Sequence, residues 1–305
     1  MEKAKEKIVI TGATSFIGLA LIRQIKNEGN GAIAVIRPSS SRKSLINKDV
    51  TLIECPLGEL AGSRELADAA RGCDIFIHLG WSADFENARY NPEGQKQNIA
   101  YELDAVEAAL RLGAKRFLAP GSQAEVGVVD VPINEFTKEN PLNAYAEAKC
   151  EARRLAYEKA SYEALPFYWP RILSGYGPHD REKTLISSCI RAVKEKALID
   201  MSGCEQIWDY VHVYDLAAAL LSVARSGKEN TPYPIASGEG HVMKEYIETI
   251  ARLGDHPALL EGIGKRPYAA KEPMYLVGDI SGLNKDTGYK PAVTFEDGIK
   301  ELLSL

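Results

Sequence analysis

Cysteine is scarce and scattered. Cys55, Cys73, Cys150, Cys189 and Cys204 form no C-x-x-C pair, and their number is odd. That pattern excludes a disulfide framework or a zinc site and reads as the reduced thiols of a cytoplasmic protein. The histidines are isolated as well, so no metal centre is expected. No apolar run approaches the ~20 residues that span a bilayer, and no signal-peptide pattern opens the chain, so no membrane partner is expected. Excess positive charge is missing too. The 37 Lys and Arg stand against 42 Asp and Glu, a net charge of −5. With no basic stripe, nucleic acid is excluded as a partner. A small polyanion stays open wherever Arg and Lys converge. Internal repeats and low-complexity tracts are also absent.

What is present fits an enzyme. The 305 residues, 45% hydrophobic and 26% charged, suffice for one extended domain or two lobes. Strand-like apolar runs at 7–10, 32–36, 51–54, 75–79, 116–120 and 167–173 alternate with helical stretches such as 100–112, where Leu103, Val106, Ala109 and Leu110 recur at helical spacing. Nearly all-apolar strands in repeated β-α-β order predict an α/β fold with a doubly wound parallel sheet covered on both faces. Ligands on such sheets lie at the carboxyl ends of the strands. From Ser174 the pattern changes. A helix is expected at 184–196, strands at 209–213 and 233–236 and a helix at 216–224, followed by Gly- and Pro-punctuated chain. The expected division is a dinucleotide-binding Rossmann unit of residues 1–173 and about 208–238, with a smaller, irregular substrate lobe of about 174–207 and 239–305.

The first strand runs through Thr11-Gly12-Ala13-Thr14-Ser15-Phe16-Ile17-Gly18 into a helical pattern. A strand–turn–helix of this kind brings backbone N–H groups and a helix N-terminus to a pyrophosphate. Gly12 allows the turn and Gly18 a close helix–sheet approach. Ser15 replaces the middle glycine of the usual spacing, and its hydroxyl is able to donate to a phosphate. A plain βα turn is the competing reading.

Tyr145-Ala146-Glu147-Ala148-Lys149 places a phenol and an ammonium on one helical face. A nearby cation favours the phenolate, so Tyr145 is a candidate general acid or base. Ser122 follows a strand and is a candidate to hold the reacting oxygen. The bland alternative for Tyr145 and Lys149 is an exposed helix pair.

With these elements the chain resembles the extended short-chain dehydrogenase/reductase family, the NAD-dependent epimerase/dehydratase group that acts on nucleotide sugars. The resemblance rests on Thr11-Gly12 to Gly18, Cys73-Asp74 to His78-Leu79-Gly80, Asn98, Ser122 with Gly127, and Pro141 to Tyr145 with Lys149. It continues through Arg171 to Tyr176-Gly177-Pro178, Asp209 to Val213 with Asp215, and Gly288 to Pro291. It implies a catalytic Ser122, Tyr145 and Lys149, with Lys149 holding the cofactor ribose and lowering the Tyr145 pKa. It also implies cofactor contacts at Gly12, Thr14, Ser15, Phe16, Ile17, Gly18, Leu57, Leu79 and Gly80.

Departures from the family pattern narrow the reading. Pro56 stands where an Asp usually holds adenine, Val126 replaces the common Tyr before Gly127, and Ser174 and Trp208 replace an Asn and an Arg. Gln123-Ala124 replaces the Asp-Glu pair with which relatives eliminate water, so dehydration is not expected. At the end of the second strand, where an acid binds the ribose of NAD, the chain has Arg37-Pro38-Ser39-Ser40-Ser41-Arg42. Arg37, Ser39 and Arg42 suit the extra phosphate of NADP, and NADPH is expected over NADH; a solvated basic loop is the alternative. Trp81, Gln123, Ser174, Tyr176 and Arg266 are candidate substrate contacts, with ordinary packing equally open for Trp81 and Tyr176. Lys183, Arg191 and Lys265 are further candidates to neutralise a substrate pyrophosphate. The expected activity is reduction of a nucleotide-diphosphate 4-keto-6-deoxy sugar by a homodimer. A nucleotide-sugar 4-epimerase with bound NAD(P) and a non-catalytic NADP-binding sensor or scaffold are the alternatives.

Overall fold

A computed structural model describes residues 5–83, 87–269 and 273–305. The main sheet is built from β1 (Lys7–Thr11), β2 (Gly31–Ile36), β3 (Thr51–Glu54), β4 (Ile75–His78), β5 (Phe117–Leu118) and, after a short β6 (Gly121–Ser122), β7 (Phe167–Tyr168). These six pair in parallel in the order β3-β2-β1-β4-β5-β7.

Strand alternation splits the core in two. Ile8, Ile10, Ala34, Ile75 and Ile77 face one side, under α1 (Phe16–Asn27) and α6 (Val213–Ser226). Val9, Ile33, Val35, Phe76 and Phe117 face the other, under α3 (Pro92–Leu112) and α4 (Ala144–Tyr162), with α2 (Arg64–Ala70) at the edge. Successive strand residues point to opposite faces, so a strand apolar at every position must be covered twice. Each fully buried Ile, Val or Phe contributes roughly 1.5–3 kcal/mol.

The expected continuous strands at 116–120 and 167–173 are each broken in two. Pro120 and Pro170 lack the N–H a ladder requires. Past the breaks, β6 pairs with β8 (Arg171–Ile172), and β8 in turn pairs with β12 (Pro234–Ile235). Next, β9 (Ser174–Tyr176) pairs with β11 (Tyr210–His212). A third small sheet joins β10 (Ile207–Trp208), β13 (His241–Val242) and β14 (Tyr275–Leu276). A third core gathers α5 (Leu185–Glu195), α7 (Met243–Leu253) and α9 (Phe295–Ser304) around Tyr176, Ile190, Ile247 and Ile299. By contrast α8 (Ser281–Thr287) sends Leu283 into the first core, beside α6. No helix among the described residues is long and apolar enough to cross a membrane.

Candidate active site

The β1–α1 turn is built for close approach. Gly12 has φ 63°, and a Cβ there would lie 3.0 Å from the Leu79 carbonyl carbon and 3.2 Å from the Gly80 nitrogen. A Cβ on Gly18 would come within 2.6 Å of the Ala13 carbonyl oxygen. Ser15 caps α1, its hydroxyl accepting from the Gly18 N–H at 3.0 Å and keeping its own O–H to donate. Gly80 faces Leu57, whose methyl would be 2.5 Å from an added Cβ. The Thr14 and Ser40 hydroxyls meet at 3.1 Å, tying the turn to the 37–42 loop. Phe16, Ile17 and Leu79 are half-buried along this cleft. Arg37 and Ser39 are exposed. Arg42 reaches across and donates to the His179 carbonyl at 3.0 Å, which fixes its side chain beside the loop after β9.

At the carboxyl end of β6, Ser122 opens a capping box. Its hydroxyl accepts from Ala124 N–H at 3.2 Å, and its own N–H donates to Glu125 at 2.9 Å. Glu125 is fully buried and also accepts from Trp169 Nε1 at 3.1 Å and Arg171 Nε at 2.9 Å. Sequence reading missed this anchor, whose signal was a carboxylate three residues after a Ser. Gln123 is half-buried in the same turn.

Tyr145 lies in the first turn of α4, where Asn143 caps the helix by accepting from Ala146 N–H at 3.0 Å. Burial pushes the phenol above its ordinary pKa; the nearby Ser122 side chain opposes this, Glu125 adds to it, and Arg89 and Arg181 oppose it by charge. The Arg89 guanidinium lies 5.5 Å from the ring centre. Lys149 Nζ donates to the Pro120 carbonyl at 3.0 Å and sits 3.7 Å from the Trp81 ring centre. Four-residue spacing fixes a shared helix face, not where a long side chain ends. Burial lowers Lys149 to about 8, against the favourable charges of Glu102 and Glu125.

Trp81 packs edge-on to Tyr145, ring centres 5.9 Å apart, and donates to Gln95 at 3.0 Å. Asn98 clamps Ser82 through both backbone groups, at 2.8 and 2.9 Å. His78 meets the Thr11 hydroxyl at 2.7 Å, and that hydroxyl accepts from the Gly80 N–H at 3.3 Å. Trp81, Ser122, Tyr145 and Lys149 thus converge, as the sequence predicts. The remaining substrate candidates do not all join them. Tyr176 is 1% exposed inside an aromatic cluster with Tyr210, His212 and Phe295, so it is a core residue and not a substrate contact. Ser174 is half-buried and accepts from Trp208 Nε1 at 2.7 Å. Arg266 is exposed, its backbone N–H bound to the Met201 carbonyl at 3.1 Å. Lys183 and Lys265 are also exposed, and Arg191 donates to the Glu182 carbonyl. No group of three metal-ligating side chains occurs among the described residues.

Residues 8–236 match the model of the NAD dependent epimerase/dehydratase family. The dTDP-6-deoxy-L-talose 4-dehydrogenase (NAD(+)) of Aggregatibacter actinomycetemcomitans is 24% identical over 243 residues, covering 79% of this chain and 88% of that protein. The solved UDP-glucose 4-epimerase of Thermotoga maritima with UDP-glucose superposes with a TM-score of 0.87 at 21% identity, over 98% of this chain and 97% of that one. RMD from Pseudomonas aeruginosa complexed with NADPH gives 0.80 at 22% identity, over 98% of each chain. At these identities the structural likeness establishes the fold.

Proposed function

The chain belongs to the NAD dependent epimerase/dehydratase family, and within it we propose that this protein is an NADPH-dependent reductase of a nucleotide-diphosphate 4-keto-6-deoxy sugar. The observation that carries the reading is the convergence of Tyr145, Trp81 and Lys149 beside Ser122, with burial holding the phenol above its ordinary pKa and favouring the proton-donating form from which carbonyl reduction starts. A ketoreductase starts from a phenol that donates; an epimerase or alcohol oxidation starts from a phenolate that accepts.

The cleft fits a dinucleotide: glycines stand where a side chain would collide, at a turn that opens a capped helix. Gly12, Thr14, Ser15 and Gly18 would hold the pyrophosphate, Leu57, Leu79 and Gly80 would line the cleft, and Arg37, Ser39 and Arg42 would take the 2′-phosphate. When bound, NADPH supplies the hydride. Ser122 donates a hydrogen bond to the keto oxygen, Tyr145 delivers the proton that completes the alcohol, and Lys149 holds the ribose. Trp81 and Gln123 flank the sugar. Residues 1–173 and about 208–238 form the cofactor unit in this reading, and about 174–207 and 239–305 the nucleotide-sugar lobe, with Arg266 on the pyrophosphate. The first relative above supports action at C4 of a nucleotide-linked 6-deoxy sugar, being by name a 4-dehydrogenase of one, although the cofactor in that name is NAD(+) and so lends nothing to the NADPH preference.

A second reading, 4-epimerase, is favoured by the likeness to the Thermotoga maritima enzyme. One reaction separates them: a 4-keto nucleotide sugar with NADPH, followed by absorbance and by product analysis. Stoichiometric NADPH oxidation is expected. Interconversion of two sugars with no net change in absorbance refutes the reductase.

A further inference from the structure

Two buried amides one turn apart on α3 hold the segment that carries Trp81. Gln95 is 2% exposed. Its Oε1 accepts from Trp81 Nε1 at 3.0 Å and from Asn98 Nδ2 at 3.3 Å, and its Nε2 donates to the Ala88 carbonyl at 2.7 Å. The orientation of this amide is forced, because an indole N–H only donates and a carbonyl only accepts. Asn98, equally buried, grips both backbone groups of Ser82 at 2.8 and 2.9 Å. The chain at 81–82 is thus held by its backbone through one amide and by its ring through the other.

Trp81 touches both members of the Tyr145–Lys149 pair. Its ring stands at 89° to the Tyr145 ring with centres 5.9 Å apart, and the Lys149 ammonium lies 3.7 Å from its centre. Both contacts depend on how the indole is turned. A T-shaped pair sets an edge against a face, and a cation is attracted only over the face. The indole has one polar atom through which its rotation is fixed, and Gln95 is the group that atom bonds. Without that bond the N–H is a half-buried donor that gains by turning toward water. Such a turn takes the ring plane away from the phenol and the ammonium together. The amide is neutral, so its hold does not depend on pH.

We propose that Gln95 is a positioning residue of this site: its amide fixes the Trp81 indole in the orientation that keeps Tyr145 and Lys149 aligned for the reaction. This rests on the reading of Tyr145 as proton donor and Lys149 as ribose-holding cation. The effect passes through Trp81; Gln95 itself is sealed from substrate.

The direct test is the indole N–H spectrum of protein labelled with ¹⁵N-tryptophan, in which the three tryptophans of the chain give three signals and Trp81→Phe identifies one. Trp169 and Trp208 bond Glu125 and Ser174 and serve as internal references. In Gln95→Met, which keeps the length of the side chain and loses the amide, the Trp81 N–H should shift and exchange with solvent about tenfold faster, as loss of one hydrogen bond implies. The other two signals should stay in place. Gln95→Leu should act alike, and either variant carries the test if the other does not fold. Gln95→Glu, which keeps an acceptor in both protonation states, should preserve the Trp81 signal. With NADPH and a 4-keto nucleotide sugar, Gln95→Met should lower kcat about tenfold or more, and Gln95→Glu should recover most of it. In a Trp81→Phe background no indole N–H is left to hold, and Gln95→Met should add little further loss. A Trp81 signal unmoved in both Gln95→Met and Gln95→Leu overturns the proposal. So does an equal change in all three signals, which marks a general loosening, or an equal loss of kcat with and without Trp81→Phe. Failure of the unmodified protein to reduce such a sugar counts against the functional reading, while the indole spectrum still decides whether Gln95 holds Trp81.

Discussion

Replacing Glu125 by Ala tests whether the site rests on its buried anchor. The carboxylate is 0% exposed and Arg171 1%, with Nε 2.9 Å from the acid. Truncation removes three hydrogen bonds, from Ser122 N–H, Trp169 Nε1 and Arg171 Nε. Each neutral one is worth roughly 1 kcal/mol. Breaking a buried ion pair from one side costs ~3–5 kcal/mol, because the surviving charge is left uncompensated. Arg171 keeps the Thr137 carbonyl at 3.0 Å and Glu139 at 3.4 Å, so the lower part of that range is expected, about 3 kcal/mol. Glu125→Gln retains acceptor capacity for Ser122 and Trp169 but sets an amide against the guanidinium, and should lose less. Urea unfolding followed by circular dichroism reads both values. A loss below about 1 kcal/mol for Glu125→Ala would refute the reasoning, since it would mean that Arg171 finds equivalent solvation without the carboxylate.

Tyr145→Phe should reduce turnover ~10²–10⁴-fold with the melting temperature and cofactor affinity nearly unchanged, because only the phenol hydroxyl is lost; single-turnover kinetics and calorimetry check this. Activity should decline as pH rises through about 8, where Lys149 loses its charge, and Lys149→Arg should lack that limb because Arg does not titrate. Arg37→Ala together with Arg42→Ala should weaken NADPH much more than NADH, by ~1.5–3 kcal/mol per charge-assisted bond lost, whereas equal affinities for the two cofactors in unmodified protein would sink the NADPH preference. Gly18→Ala should destabilise the β1–α1 turn, since its Cβ would lie 2.6 Å from the Ala13 carbonyl oxygen; thermal melting reads the effect.

The sequence by itself determined the parallel sheet, because strands such as Ile8-Val9-Ile10 and Ile75-Phe76-Ile77 are apolar on both faces and demand two covering layers. It also determined the dinucleotide turn, since glycines at 12 and 18 mark backbone approach that no side chain permits. The convergence of Ser122 with Tyr145 was legible from a strand end and a helix start. The tertiary structure decided what periodicity cannot encode. It placed the Lys149 ammonium on the Pro120 carbonyl and against the Trp81 ring, because a long side chain ends where a distant carbonyl and ring receive it. It buried Tyr176 among aromatics from β11 and α9, 34 residues and more away in the chain. It also brought Ser122, Trp169 and Arg171 to the one Glu125 carboxylate from separate elements. Charges in a low-dielectric interior act through space, and their partners are set by packing and not by spacing along the chain.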